Sequence, residues 1–505
     1  MIQWRLAQLS NPARRVLDAA VAAGREFEFE VVYQAAGLSE AAALDALDEL
    51  LEVALIYPLQ KAEQGVDAPL VYAFDHSLTM EVAYREIGEA RHRLLHRQVA
   101  EALEKRYRSR FEDMAGVIAN HYQEGGDPYK ASAFAIRAAR RAASLAAWTE
   151  AASFYEQALV KVTEPGINHE LLMSLGEAYL RSGQPAKAAE SYWAVIHGTE
   201  PGSPETNQAR LALGEALLLQ ARYAEVLELT QQVIGSDQPE FILQAEFLAG
   251  TALSLEGADL EQAASHLLRA QNLCADNCDS LTMAEIKFEL GSLAAQEGRL
   301  NEAVALYHES LEAAQAAFSG NQGNRAIPRM ILAYNNLAYH LHLIQDPQAL
   351  FYVEKGLELA SEKGELPLLT YLLSTRGEIA LAAGDLELAE SCFQEGLALA
   401  ERVSMLERVA GLTANLGLVE HQRGQQQLAI HHLSTAQARA DALGTQHLAA
   451  QIRLWLAPLL PAHEARQHLA EARAIASRGG RRFLLEEVAR LEAKLFDTGA
   501  SRDSS

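Results

Sequence analysis

Histidines and cysteines at helical spacing are the first candidates for chemistry in this chain. His92 and His96 stand four apart in "RHRLLHRQVAEALE" and share one face of a helix, a spacing that can bind metal. No Glu follows His92 to make HExxH, and no further ligand is evident nearby. Cys274 and Cys278 in "CADNC" lack a second pair and read as helix-end residues rather than a metal or redox site. His431 and His432 fall between two repeat positions and read as partly packed, partly solvated surface. The chain shows no GxxxxGK[ST] phosphate-binding loop and no GxSxG nucleophile elbow. With no coherent constellation, the expectation is a non-enzymatic chain with no cofactor and no metal.

Composition narrows the class. The chain has 505 residues, 49% of them hydrophobic, with a formal net charge of −24. That length exceeds one ordinary core unless the architecture is repetitive. The charge argues against a phosphate backbone as main partner. Three cysteines, an odd and low count, fit a reducing cytoplasm better than a disulfide framework. The start, "MIQWRLAQLSNPARR", lacks the apolar core of a signal peptide, and no run approaches a membrane span, so the expectation is a cytoplasmic protein with no membrane partner.

Residues 1–75 predict a small domain. Ser10 or Asn11 before Pro12 starts a helix that stops at Gly24. "EFEFEVVYQAAG" is a short extended piece leading into a second helix. A third helix opens at Ser39 and is expected to bury Leu44, Leu47, Leu51 and Leu55. "IYPLQKAEQGVDAPLVYAF" predicts two strands around a turn at Gly65 and Asp67. Three helices and a β-hairpin make a winged-helix pattern. Its third helix carries Glu40, Asp45, Asp48, Glu49 and Glu52 and no cation, so direct DNA binding is not expected.

Residues 76–110 predict a basic connecting helix, with Arg85, Arg91, Arg93 and Arg97. Residues 111–497 predict helical repeats with C-terminal capping helices, and 498–505 a disordered tail. The repeat signature is a Gly, an Ala twelve later and a bulky residue sixteen later: Gly176, Ala188, Tyr192; Gly291, Ala303, Tyr307; Gly377, Ala389, Phe393; Gly417, Ala429, Leu433. Weaker copies centre on Gly214, Gly250 and Ala338. The Gly lets two antiparallel helices approach, the Ala lies opposite it, and the aromatic is expected to fill the gap to the next pair. This pattern resembles the tetratricopeptide repeat (TPR), although the spacing between successive copies, 36 to 47 residues, exceeds that family's period of about 34 residues. "FSGNQGNRAIP" in the longest interval is expected to be an exposed loop. The fold class is therefore all-α: a TPR-like α-solenoid superhelix preceded by a small winged-helix domain with a β-hairpin.

The two parts together are similar to the C-terminal half of bacterial STAND-type ATPases, which couple an AAA-like or NB-ARC-like nucleotide switch to a helical sensor arm. The matching residues are Phe74 and His76, Glu81–Tyr84, and Arg91–Glu104. Large LuxR-type regulators, antibiotic-regulator-type activators and cyclase fusions share this layout. The resemblance implies a nucleotide-binding module in cis or in trans, packed on the winged helix and faced by His76. From the residues alone, His76 reads as a buried histidine pinning the hairpin to the helix.

Counting along each first helix, the positions six and three before the Gly-equivalent and one and four after it point inward. They place Phe247, Phe288, Asn335, Tyr339, His342, Tyr371 and Glu378 on the concave face. Aromatics beside polar groups suit a peptide, a partner protein or a small-molecule inducer. The expected function is a non-catalytic regulatory arm that senses such a ligand, with transcription or another signalling output as what the resemblance implies; the alternative is a free-standing TPR scaffold for protein–protein interaction.

Overall fold

The computed structural model describes residues 2–59, 70–108, 110–159, 165–236, 238–257, 259–275, 278–320, 323–478 and 481–496. Among these are twenty-six α-helices, three short strands and one 3-10 turn. The chain folds as two compact units, Met1–Gln220 and Ala221–Ser505. Among the described residues no helix is long and apolar enough to cross a membrane.

The first unit opens with helix Ile2–Ala7, which periodicity did not reveal, and then the winged helix. Helix Asn11–Ala23 starts as expected, the Ser10 hydroxyl accepting from the Ala13 amide. Three strands, β1 (Glu26–Glu28), β2 (Ile56–Pro58) and β3 (Val71–Phe74), form an antiparallel sheet in the order β1-β3-β2. Glu26 lies opposite Ala73 and Ile56 opposite Phe74. The turn at Gly65 and Asp67 lies outside the described residues, as does the 498–505 tail. Helix Glu40–Glu52 buries Ala43, Ala46, Leu47 and Leu50; of the expected leucine stripe, Leu47 and Leu55 are buried, Leu51 is half-buried and Leu44 is not buried. Leu44 is left 43% exposed. Two stripes of helical period run along this helix, and the one with small alanines allows close packing on Asn11–Ala23.

The basic connecting segment is two helices, Ser77–Arg85 and Glu89–Arg106. Most of its cations are paired within the unit. Arg91 reaches buried Asp18 at 3.3 Å, and Arg14 reaches the same carboxylate at 2.9 Å. Arg106 pairs with Glu30 at 2.9 Å and Glu28 at 3.6 Å, and Arg97 donates to the Gly125 carbonyl at 3.0 Å. Arg85 and Arg93 pair with Glu81 and Glu89 one turn back. The segment thus clamps the winged helix to the first repeat helix, Phe111–Glu124. His96 and His121 share a hydrogen bond between Nδ1 atoms at 2.9 Å, and the His92 ring meets Tyr84 edge-on at 3.8 Å. His76 is exposed at the start of helix Ser77–Arg85, not buried as its residue type suggested.

The repeats are helix pairs whose first members carry the glycines. A Cβ added at Gly176 would come 2.4 Å from the Tyr192 ring, and one at Gly377 would come 2.4 Å from the Phe393 ring. The aromatic therefore lies on the Gly of its own pair, and it also reaches the next pair, as where the Tyr307 ring meets His340 at 5.1 Å. The same contact recurs between Gly291 and Tyr307 at 3.0 Å. The turns that close these pairs use left-handed glycines, Gly183, Gly298, Gly384 and Gly424, with φ between 76° and 80°.

Two local expectations change in the second unit. "FSGNQGNRAIP" is not a loop throughout: helix Gly323–Leu343 begins inside it and carries Pro328. Ala326 and Ile327 are buried there, and Ile327 joins Ile331, Val353 and Leu372 in one core cluster. Burial of that face outweighs the local Gly and Pro preference. Cys278 turns back against Cys274 with a Cα separation of 4.7 Å, within disulfide reach, a pairing the low cysteine count did not suggest. The two expected capping helices are Ala462–Arg478 and Arg482–Phe496, sharing a core of Leu469, Ala472, Leu484 and Val488.

Candidate functional site

The first helices of the second unit's pairs converge on an interior space. One cavity of about 330 Å³ is bounded by Ser254, Ser292 and Tyr339 on successive first helices, and by His447 and Arg481 near the C-terminus. A second, of about 470 Å³, is walled by helices Gly323–Leu343, Leu366–Ala382 and Leu406–Gln422, with Trp455 and Phe483 on the C-terminal helices facing them. Tyr339, Leu343, His447, Gln451 and Phe483 border both, so the two are neighbouring lobes. Their size is that of small-ligand sites.

Five of the seven residues placed inward by counting line the second lobe: Asn335, Tyr339, His342, Tyr371 and Glu378. The helical repeat accounts for this, because positions three or four apart return to one face. Phe247 and Phe288 border neither lobe. Phe288 meets the Tyr307 ring edge-on at 5.4 Å with the Arg329 guanidinium 4.5 Å above it. Phe247 packs against the core of Leu253, Leu267 and Leu290. Both rings serve the contact between adjacent pairs.

A polar network joins three successive first helices across the second lobe. The Thr375 hydroxyl donates to Asn335 Oδ1 at 2.9 Å, and Asn335 Nδ2 donates to Asn336 Oδ1 at 3.3 Å. Glu378 Oε1 accepts from the Ser374 hydroxyl at 3.0 Å and from Asn415 Nδ2 at 3.1 Å. Asn415 also donates to Ser374 at 3.1 Å. Burial raises the Glu378 carboxyl above the ordinary range, although Ser374, Arg408 and Asn415 each oppose the shift. Burial likewise raises the Tyr371 and Tyr339 hydroxyls and lowers the His342 imidazole.

Arg408 is the residue that counting missed. It sits one helical turn beyond the last inward position read back from Gly417. Its guanidinium lies 4.4 Å over the Tyr371 ring. Its Nε is buried without a hydrogen-bond partner, and its Nη2 makes a 3.5 Å contact with the Thr370 carbonyl. Burial lowers its pKa, opposed by Tyr371, Glu378 and Glu407. Among the described residues no carboxylate comes within ion-pair distance of it. His447 keeps open surface inside the cavity but is walled around, and that enclosure with Arg481 pulls its imidazole down to about 4. Trp455, Phe483, Arg481 and His447 were also missed, because the C-terminal helices carry no Gly-equivalent from which to count.

The arrangement offers donors, acceptors, aromatic faces and a guanidinium. Among the described residues there is no group of three or more metal-ligating side chains. The site is suited to binding an organic ligand by stacking and hydrogen bonds.

No family model matches the chain, and no curated protein matches it. Solved structures do. A Rap protein complexed with Competence and Sporulation Factor shares 16% identity at a TM-score of 0.46, with 66% of this chain and 98% of that chain covered. A STAND protein with a tetratricopeptide repeat sensor, PH0952 from Pyrococcus horikoshii, shares 13% identity at a TM-score of 0.42, with 88% of this chain and 66% of that one covered. NprR in complex with its cognate peptide NprX shares 16% identity at a TM-score of 0.42, with 58% and 84% covered. At TM-scores below 0.5, these likenesses carry no argument about what this chain binds. The architecture rests on the chain's own helix pairs, which make it an all-α, TPR-like solenoid behind a small winged helix.

Proposed function

We propose that the chain is a non-catalytic sensor arm that takes a peptide or small-molecule inducer into the cavity of residues 221–505. The observation that carries this reading is the cavity's wall: side chains from successive first helices and from helices Gln446–Leu456 and Arg482–Phe496 converge on one space. A ligand there touches several repeats at once, so occupancy can bias how the pairs pack. The chemistry belongs to recognition rather than turnover, because the lining groups are stacked, hydrogen-bonded or buried and none forms a nucleophile–base pair.

The winged-helix end is read as the docking face for an AAA-like or NB-ARC-like nucleotide-binding module, in cis or in trans, within a STAND-type regulator of transcription. The resemblance at Phe74, His76, Glu81–Tyr84 and Arg91–Glu104 supports this. So does exposure of His76, of Leu78 at 55% and of Trp4 at 66%, on two helices that pack together. The acidic groups exposed on helix Glu40–Glu52 speak for a protein partner rather than DNA.

Hydrogen exchange tests the sensor reading. Adding the low-mass fraction of an extract of the source cells should raise protection in helices Gly323–Leu343, Leu366–Ala382 and Gln446–Leu456. The Tyr339→Ala, Tyr371→Ala double variant should lose that gain. Protection that never rises, or rises only outside these helices, would sink the reading. For the docking face, His76→Ala and Leu78→Ser should weaken association with the module while leaving ligand-induced protection unchanged.

A further inference from the structure

The second lobe carries two arginines, Arg408 and Arg490, and two glutamates, Glu378 and Glu487, in a chain of formal net charge −24. Glu378 and Glu407 act on Arg408 only at longer range, and neither forms an ion pair with it. Of the two arginines on that wall, Arg490 is paired with Glu487 at 2.6 Å. Arg408 has Tyr371 beneath it, a long contact to the Thr370 carbonyl and an unpartnered Nε. A half-buried cation kept in that state costs stability, because desolvation is only partly offset. An anion entering the lobe would meet this guanidinium, which lines it, and offset part of that cost.

The surroundings say what kind of anion. Tyr371, Trp455 and Phe483 provide ring faces beside the guanidinium. Glu378 lies in the same lobe, with Oε1 taken up by Ser374 and Asn415. Its negative form would repel a dianion such as phosphate more than a singly charged group. Its second oxygen remains available to an N–H or O–H on a ligand. Guanidinium geometry also matches the two oxygens of a carboxylate.

Resting on the sensor reading, we propose that the ligand of this cavity is a monocarboxylate with an apolar body, its carboxylate seated on Arg408 and its body laid against Tyr371, Trp455 and Phe483.

The full chain can be tested with two matched fluorine-labelled probes, 5-fluoro-N-acetyltryptophan and its primary amide, observed by 19F line broadening. They differ only in the anionic group. The carboxylate should bind about tenfold more tightly than the amide, the size of one charge-assisted contact. Arg408→Gln should erase that preference, and Arg408→Lys should restore part of it. Trp455→Ala should weaken both probes together. Circular dichroism on each variant confirms that the helices persist, and Arg408→Met serves as a second charge-free variant if Arg408→Gln unfolds.

Equal affinity of acid and amide, with both lost in Trp455→Ala, would overturn the carboxylate proposal and leave the cavity reading standing. So would a preference that survives Arg408→Gln. Displacement of the acid by inorganic phosphate but not by acetate would reassign the anion and overturn the proposal in its carboxylate form. Failure of both probes to broaden with the unmodified chain would count against the cavity reading and this proposal together.

Discussion

Arginine is handled in opposite ways at two places, the winged-helix end of the first unit and the repeat cavity of the second. Around the winged helix, Arg14 and Arg91 converge on Asp18, which is only 3% exposed, and Arg106 straddles Glu28 and Glu30. Those cations hold elements together, each with a carboxylate at hand. In the repeat cavity, Arg408 is half-buried and unneutralised. A local excess of basic residues in the sequence drew attention to the first group, but free charge resides in the second. Charge density along a chain and charge availability in a fold are separate properties.

The sharpest way to break this comparison is to remove the shared anion of the first region. Asp18→Ala removes the buried carboxylate that Arg14 and Arg91 share, although Arg14 keeps Glu86 at 2.9 Å, and should destabilise the first unit by about 2 kcal/mol in urea unfolding. A loss under about 0.5 kcal/mol would show that the arginines there are as free as Arg408.

Acid should act next. Burial and then His96 pull His121 down to about 4, and burial, then His92, lowers His96 despite Glu124. Both folded pKa values lie below the ordinary one, so between about pH 6.5 and 4 the unfolded chain binds protons that the folded chain does not. The stabilisation is whole above pH 6.5 and is lost as pH falls toward 4, by about 1–2 kcal/mol after allowance for partial exposure. Hydrogen-exchange protection of helix Phe111–Glu124 should fall across that window, and His121→Gln should flatten the dependence.

A smaller effect tests the turns. Gln345 holds φ at 59° in a turn where other pairs use glycine. Gln345→Gly should therefore stabilise the second unit by about 0.5–1 kcal/mol, read as a shift in urea midpoint. The smallest effect is expected at the centre of the comparison. Arg408→Met should leave stability within about 0.5 kcal/mol of the starting protein, or raise it, since it removes a cation without stranding a partner. A large loss would mean that Arg408 is structural.

Much of the architecture was legible in the residues. The Gly-to-aromatic spacing marks helix pairs because only a residue without Cβ admits Tyr192 or Phe393 at that distance. Counting from those glycines reached Asn335, Tyr339, His342, Tyr371 and Glu378, all of which border one lobe. The same counting selected Phe247 and Phe288, which pack between pairs, because an inward-pointing ring can meet a neighbour before it meets open space. It stopped short of Trp455 and Phe483, whose helices lack the glycine that starts the count. Propensity failed at Gly323–Leu343, where burial of Ala326 and Ile327 favours helix through a Gly- and Pro-bearing stretch.

Local chemistry, by itself, determined the helix pairs, their left-handed turns and the acidic face of the third winged-helix helix. These depend on residues a few positions apart in one chain segment, where period, steric size and capping act directly. Tertiary structure alone decided that Ala43, Ala46 and Leu50 rather than Leu44 would be buried in Glu40–Glu52, that Asp18 would gather Arg14 and Arg91, and that Arg408 would line a cavity without an ion pair. Those outcomes depend on distances between residues far apart in sequence, and ion pairing and desolvation are set by such distances rather than by residue type.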